Sequence, residues 1–105
     1  MYFFNLCSYN NSKPSYEWDE RKAKLNWLKH GVDFSQTEFF EWDRALVVAD
    51  SRRPYSEPRW IAHGPIRSRL HVLVYTPRFR RVRVISLRRG NQREFNHYVV
   101  KTDQA

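Results

Sequence analysis

A single cysteine, Cys7, stands in a chain of 105 residues. One thiol cannot close an internal disulfide, and no zinc site built on several cysteines can form. Only four histidines are present, spread along the chain without an HExxH spacing. No metal and no cofactor are therefore expected. No apolar run approaches the roughly 20 residues that a membrane span needs. The apolar stretch from Met1 to Cys7 is shorter than a signal-peptide h-region, and no basic flank precedes it. A reducing cytoplasm is the expected compartment. Internal repeats and low-complexity tracts are missing as well. What remains is 41% hydrophobic and 29% charged, the composition of one globular domain rather than a disordered chain.

Acidic residues are scarce in the second half. Residues 51–105 carry only Glu57, Glu94 and Asp103 against thirteen basic residues, twelve of them arginine, a net of +10. Residues 1–50 carry six basic and eight acidic residues, a net of −2. So steep an asymmetry points to a polyanion as partner, and nucleic acid is the commonest. Arginine in place of lysine favours planar, bidentate phosphate contacts. The plainer reading is a solvated basic surface that keeps a small protein soluble.

Residues 1–15 read as a poorly anchored lead-in, rich in Asn, Ser and Pro from Ser8 to Ser15, although Phe3, Phe4 and Leu6 would suit an edge strand. The domain is expected over 16–105. A first helix should start at Asp19, a good N-cap, and run to His30, with Gly31 as its left-handed C-cap. Leu25 and Leu28 give it an apolar stripe, and Lys22, Asn26 and Lys29 share another face. Ser35 and Glu38 have the spacing of a capping box, with Phe34 and Phe39 placed as a hydrophobic staple, so a second short helix is expected to end near Trp42 or Asp43. Strands follow at 45–49, 59–64, 69–76 and 80–88, with Pro77 stopping the third and a hairpin turn joining it to the last. A further strand is possible at Tyr16 to Trp18. Asn91 and Glu94 repeat the capping-box spacing and open a final helix carrying Phe95, Tyr98 and Val99. Helices followed by strands indicate an α+β fold with an antiparallel sheet.

The segments Glu17-Trp18-Asp19-Glu20-Arg21-Lys22 and Asn26-Trp27-Leu28-Lys29-His30-Gly31-Val32-Asp33-Phe34 carry a family signature. Glu57-x-Arg59 with Gly64, Val74-Tyr75-Thr76, Arg83-Val84-Ile85-Ser86-x-Arg88-Arg89, and Glu94 with Tyr98 continue it in order. Together they resemble the BrnT-type toxins of bacterial type II toxin–antitoxin pairs. Leu87 and Gly90 stand where that family usually has alanine. The resemblance implies a compact domain similar to RelE-type ribonucleases, with two N-terminal helices packed on an antiparallel sheet and a C-terminal helix. It implies metal-independent endoribonuclease activity that arrests translation. It also implies neutralisation by a BrnA-like ribbon-helix-helix antitoxin in a hetero-oligomer, with promoter DNA reached only through the antitoxin and no membrane involved.

Metal-free RNA cleavage needs a base for the ribose 2′-OH, charge stabilisation at the phosphorane and a proton for the leaving 5′-oxygen. Arginine never deprotonates, so it suits the second task. The acid–base candidates are His30, His63, His71, Glu57 and Glu94. Lys29 beside His30 disfavours the imidazolium and keeps His30 able to accept a proton. The expected catalytic set is Lys29, His30, Glu57, Arg59 and Arg88, with Glu57 orienting an arginine or acting as the base. Lys22, Arg78, Arg80, Arg81, Arg83 and Arg89 are the expected RNA contacts. Strict strand alternation would send Arg81, Arg83 and Arg89 one way and Arg80 and Arg88 the other. Each assignment has a plainer counterpart. Lys29 and His30 suit a helix C-terminus, Glu57 and Arg59 suit a surface ion pair, and His63 and His71 suit structural roles in strands. The four tryptophans suit the core better than base stacking. As a whole, the competing function is a non-catalytic nucleic-acid-binding or repressor subunit on the same fold. A purely structural module would show no salt-dependent RNA affinity.

Overall fold

A computed structural model describes residues 14–103. The expected lead-in therefore lies outside the described residues except at its end, where Pro14 is buried and Ser15 opens the first strand. The elements are β1 (Ser15–Glu17), α1 (Glu20–His30), two 3-10 helices (Phe34–Phe39 and Trp42–Arg44), β2 (Leu46–Ala49), β3 (Trp60–Ile66), β4 (Arg69–Arg78), β5 (Arg81–Arg89) and α2 (Gln92–Thr102). The strands form one sheet in the order β1-β5-β4-β3-β2. Neighbours are antiparallel except β1, which runs parallel to β5 over Arg81 to Arg83. The fold is α+β as expected, but the sheet is mixed, and among the described residues α1 is the one α-helix before β2.

The first helix is capped as the sequence dictates. Asp19 Oδ1 accepts from the backbone N–H of Arg21 at 2.8 Å and of Lys22 at 3.2 Å, and Gly31 adopts φ 68° while its N–H donates to the Trp27 carbonyl. Its orientation differs from expectation. Leu25 is 65% and Leu28 73% exposed, whereas Asn26 is buried and Ala23 and His30 are half-buried. The reason is a polar anchor. Asn26 Nδ2 donates to the carbonyls of Val32 (3.0 Å) and Leu87 (2.8 Å), and its Oδ1 accepts from Leu87 N–H (3.1 Å). Because β1 covers β5 only as far as Arg83, the backbone of Leu87 needs another partner, and the Asn26 amide supplies it.

The expected second helix is a 3-10 helix, and its cap is Asp33, whose carboxylate accepts from Ser35 N–H at 2.8 Å. The buried residues explain the tighter winding. Phe34, Thr37 and Phe40 recur every three residues, the period that puts one face of a 3-10 helix inward. Phe39 points outward instead of stapling the helix start, with the Arg67 guanidinium 4.2 Å from its ring centroid.

Phe34, Phe40, Trp42, Ala62, Leu73, Tyr75, Val82, Val84 and Leu87 form the centre of the core on the inner face of the sheet. Gly64 lets the Phe40 ring lie on β3, because a Cβ there would come 2.7 Å from Phe40 Cζ. Pro77 does not end β4. It pairs with Val82 beyond Tyr75, where β3 has already stopped, so its missing N–H interrupts no central ladder.

A β-bulge sets the direction of the C-terminal arginines. Val74 pairs with Ser86 but Tyr75 pairs with Val84, leaving Ile85 as the extra residue. The inward series is therefore Val82, Val84 and Leu87. Arg81, Arg83 and Arg88 share the outer face and Arg89 the inner, which corrects the alternation counted from the sequence. On the outer side, α2 opens with the expected capping box between Asn91 and Glu94, and the Tyr98 hydroxyl donates to the Arg44 carbonyl at 2.6 Å.

Candidate functional site

Lys29 and His30 form the last turn of α1, and the Asn26 anchor brings that turn to β5. His30 is held below the ordinary histidine range by partial burial first, then by the charges of Lys29 and Arg88. The imidazole is thus the neutral, proton-accepting form at neutral pH. That it feels Arg88 places the two sequence-predicted residues in one electrostatic neighbourhood. Lys22 and Lys29 flank Asn26 on the same helix and remain exposed.

Arg88 is fixed by a fork of two hydrogen bonds. Its Nη1 and Nη2 donate to Glu94 Oε1 (2.9 Å) and Oε2 (2.7 Å), and Nη1 also reaches the Arg89 carbonyl. Arg88 pulls the Glu94 carboxyl down to about 2. His63, on β3 opposite Val72, which in turn faces Arg88, is lowered by burial, against the raising influence of Glu94. Arg88 thus keeps the Glu94 carboxyl ionised at neutral pH.

Glu57 and Arg59 do not pair with each other. Glu57 binds Arg78 at 3.2 Å, and the Arg59 guanidinium lies 4.2 Å from the Tyr55 ring centroid. Arg59 Nε is buried with no hydrogen-bond partner among the described residues. Arg59, just before β3, lies four positions from His63, whose row contains Arg88, about 13 Å of extended chain. Arg59, with Glu57 beside it, thus sits at one end of the outer face and Arg88 toward the other, where the last turn of α1 brings Lys29 and His30 to the β5 edge. The loop after β2, on the Arg59 side, is held by the buried Asp50. Its carboxylate receives Arg52 Nε and Nη2, each at 2.8 Å, and is lowered to about 2 by Arg52 first.

The remaining expected RNA contacts divide by face. Arg81 and Arg83 both reach Glu17, at 3.4 and 2.9 Å. Arg80 sits in the β4–β5 turn at φ 58°, 5.4 Å from the Phe79 ring centroid. Arg89 lies across the ladder from His71 and lines a cavity of about 310 Å³ with Trp27, Arg67 and Arg69. Sequence reading passed over Arg67 and Arg69 and took His71 only as an acid–base candidate or a structural strand residue. Their basic character was visible, but which of the arginines keep a carboxylate partner depends on the tertiary pairing. Among the described residues, no three His, Cys, Asp or Glu side chains gather as metal ligands, and no helix is long and apolar enough to cross a membrane.

No curated protein matches the chain. Residues 18–94 match a family described as "Ribonuclease toxin, BrnT, of type II toxin-antitoxin system". That span runs from the tryptophan before the α1 cap to the glutamate that grips Arg88, and so takes in α1, the whole run from β2 to β5 and the start of α2. The chain belongs to the BrnT ribonuclease toxins of type II toxin–antitoxin systems.

Proposed function

We propose that the chain is an endoribonuclease that works without a metal and that His30, Lys29 and Arg88 carry the reaction. The observation behind this reading is the neutral His30 imidazole at the end of α1, close enough to Arg88 to feel its charge. His30 takes the proton of a ribose 2′-OH, and the oxygen attacks the adjacent phosphorus. Arg88, oriented by Glu94, binds the non-bridging oxygens as they gain charge. The P–O5′ bond breaks, Lys29 gives the 5′-oxygen its proton, and a 2′,3′-cyclic phosphate remains. Water then exchanges protons with both side chains and resets them.

Arg59, with Glu57 acting through Arg78, holds a neighbouring phosphate. Lys22, Arg78, Arg80, Arg81, Arg83 and Arg89 extend the cationic track. Cleavage of this kind arrests translation in the cytoplasm. A ribbon-helix-helix antitoxin with an acidic segment would cover the arginines and restrain the toxin electrostatically. A RelE-like arrangement fits an antiparallel core sheet with α1 on one side and α2 on the other.

The test is induction of the chain alone in bacteria, beside in vitro cleavage of a labelled RNA by protein freed of antitoxin. Growth arrest and a 2′,3′-cyclic phosphate end are expected, with both lost in His30→Ala and Arg88→Ala. Cleavage by His30→Ala at the native rate would remove His30 from the mechanism. RNA or DNA binding with no cleavage and normal growth would support the non-catalytic alternative.

A further inference from the structure

Most of the outer-face arginines differ in one respect from those of the Arg89 cavity, Arg59 over the Tyr55 ring being the exception. Arg78, Arg81, Arg83 and Arg88 each hold a carboxylate, as does Arg52. Arg67, Arg69 and Arg89 form no ion pair among the described residues, yet all three line the same cavity at the C-terminal end of α1. Opposite them stands Trp27, 54% exposed. One acidic residue, Asp33, also lines the cavity, but its carboxylate is engaged by Ser35 N–H.

His71 completes the lining. Its Nδ1 lies 2.8 Å from the Arg69 carbonyl. A carbonyl can only accept, so Nδ1 carries the proton, and in the neutral ring Nε2 is left as an acceptor. Burial first, with the charges of Arg89 and Arg69, outweighs the raising effect of the Arg69 carbonyl and keeps the ring below its ordinary range. The arginines are presented by a turn with two non-glycine residues at positive φ, Arg67 at 51° and Ser68 at 65°. Such a turn ordinarily takes Asn-Gly, and each left-handed side chain costs about 1–2 kcal/mol. Strain of this sort commonly marks a working surface.

We infer that this cavity is a second RNA subsite, on the inner face of the sheet, that binds one nucleotide of a single strand: its phosphate by Arg67, Arg69 and Arg89, its base stacked on Trp27, and its ribose 2′-OH donating to His71 Nε2. Unpaired guanidinium groups need no counter-ion displaced before they bind phosphate. An aromatic face accepts any base. The 2′-OH contact is what distinguishes RNA from DNA. The inference rests on RNA being the substrate, but not on His30 being the base.

The test uses the full chain freed of antitoxin and fluorescence anisotropy with a labelled RNA decamer and its DNA counterpart, at low temperature with probe integrity checked on a gel. Arg67→Ala and Arg89→Ala should each weaken RNA binding several-fold, and each should flatten the log–log salt dependence by roughly 0.7. Trp27→Ala should weaken RNA and DNA binding alike, by about fivefold or more. His71→Asn keeps a donor for the Arg69 carbonyl and removes the Nε2 acceptor. It should lower the RNA-to-DNA preference and leave DNA affinity unchanged. Because His71 is buried, circular dichroism and the exposed-site variants accompany it. Unaltered RNA affinity and salt slope in Arg67→Ala and Arg89→Ala would overturn the subsite. A chain that binds through these residues but cleaves nothing would keep the subsite and refute the nuclease reading instead.

Discussion

The replacement Glu94→Gln removes one charge and turns the oxygen that accepts from Arg88 Nη2 into a donor. Glu94 Oε1 accepts from Asn91 N–H at 2.9 Å in the capping box, a bond that a glutamine oxygen retains. What is lost is the ionic half of the fork to Arg88. Those bonds first, with the Asn91 N–H and the charges of Arg88 and His63, lower the carboxyl from 4.5 to about 2 against its burial, a displacement equivalent to roughly 3 kcal/mol at 1.36 kcal/mol per unit, of which the fork holds the largest share. The Arg88 side chain is 36% exposed, so water screens the pair, and about 1–2 kcal/mol is the expected loss. Since the folded value lies below the unfolded one, the unfolded chain binds more protons between the two. The stabilisation is therefore complete above about pH 4.5 and disappears as pH falls toward about 2. Urea unfolding across this range is the assay. At neutral pH the variant should be less stable by about 1–2 kcal/mol, with a Tm lower by about 4–8 °C per kcal/mol. The gap to the parent should close as the pH approaches 2. A gap that stays constant with pH would show that the charge of Glu94 contributes nothing and that the fork is merely packing.

Asn26→Ala should cost about 3 kcal/mol in urea unfolding, because it strands the Leu87 N–H and carbonyl and the Val32 carbonyl; a loss under 1 kcal/mol would mean that water replaces the amide. Gly64→Ala forces the Phe40 ring from its place on β3 and should destabilise by about 1–3 kcal/mol, whereas an unchanged Tm would refute the close approach. For cleavage, the proposed base His30 is held below the ordinary histidine value of 6.5 by partial burial, Lys29 and Arg88. The rate should accordingly be flat at neutral pH and fall only on acidification below that value, and a rate still rising between pH 7 and 8 would exclude His30 as the base.

Much of this protein was settled locally, within a few residues. Asp19 and Gly31 bound α1, and Asn91 with Glu94 opens α2, because caps are bonds between near neighbours. The arginine-rich half, the strand positions and the family signature from Trp18 to Glu94 needed no tertiary information either. The tertiary structure alone decided how those pieces face one another. The Leu25–Leu28 stripe turned outward because an amide satisfied a strand edge 61 residues away. One extra residue at Ile85 moved Arg88 onto the face of Arg81 and Arg83, since period-two counting holds only while the ladder is unbroken. Glu57 chose Arg78 over its sequence neighbour Arg59. Which cations keep a counter-ion and which stay free for phosphate is a property of distances in the folded chain, and local pattern cannot encode it.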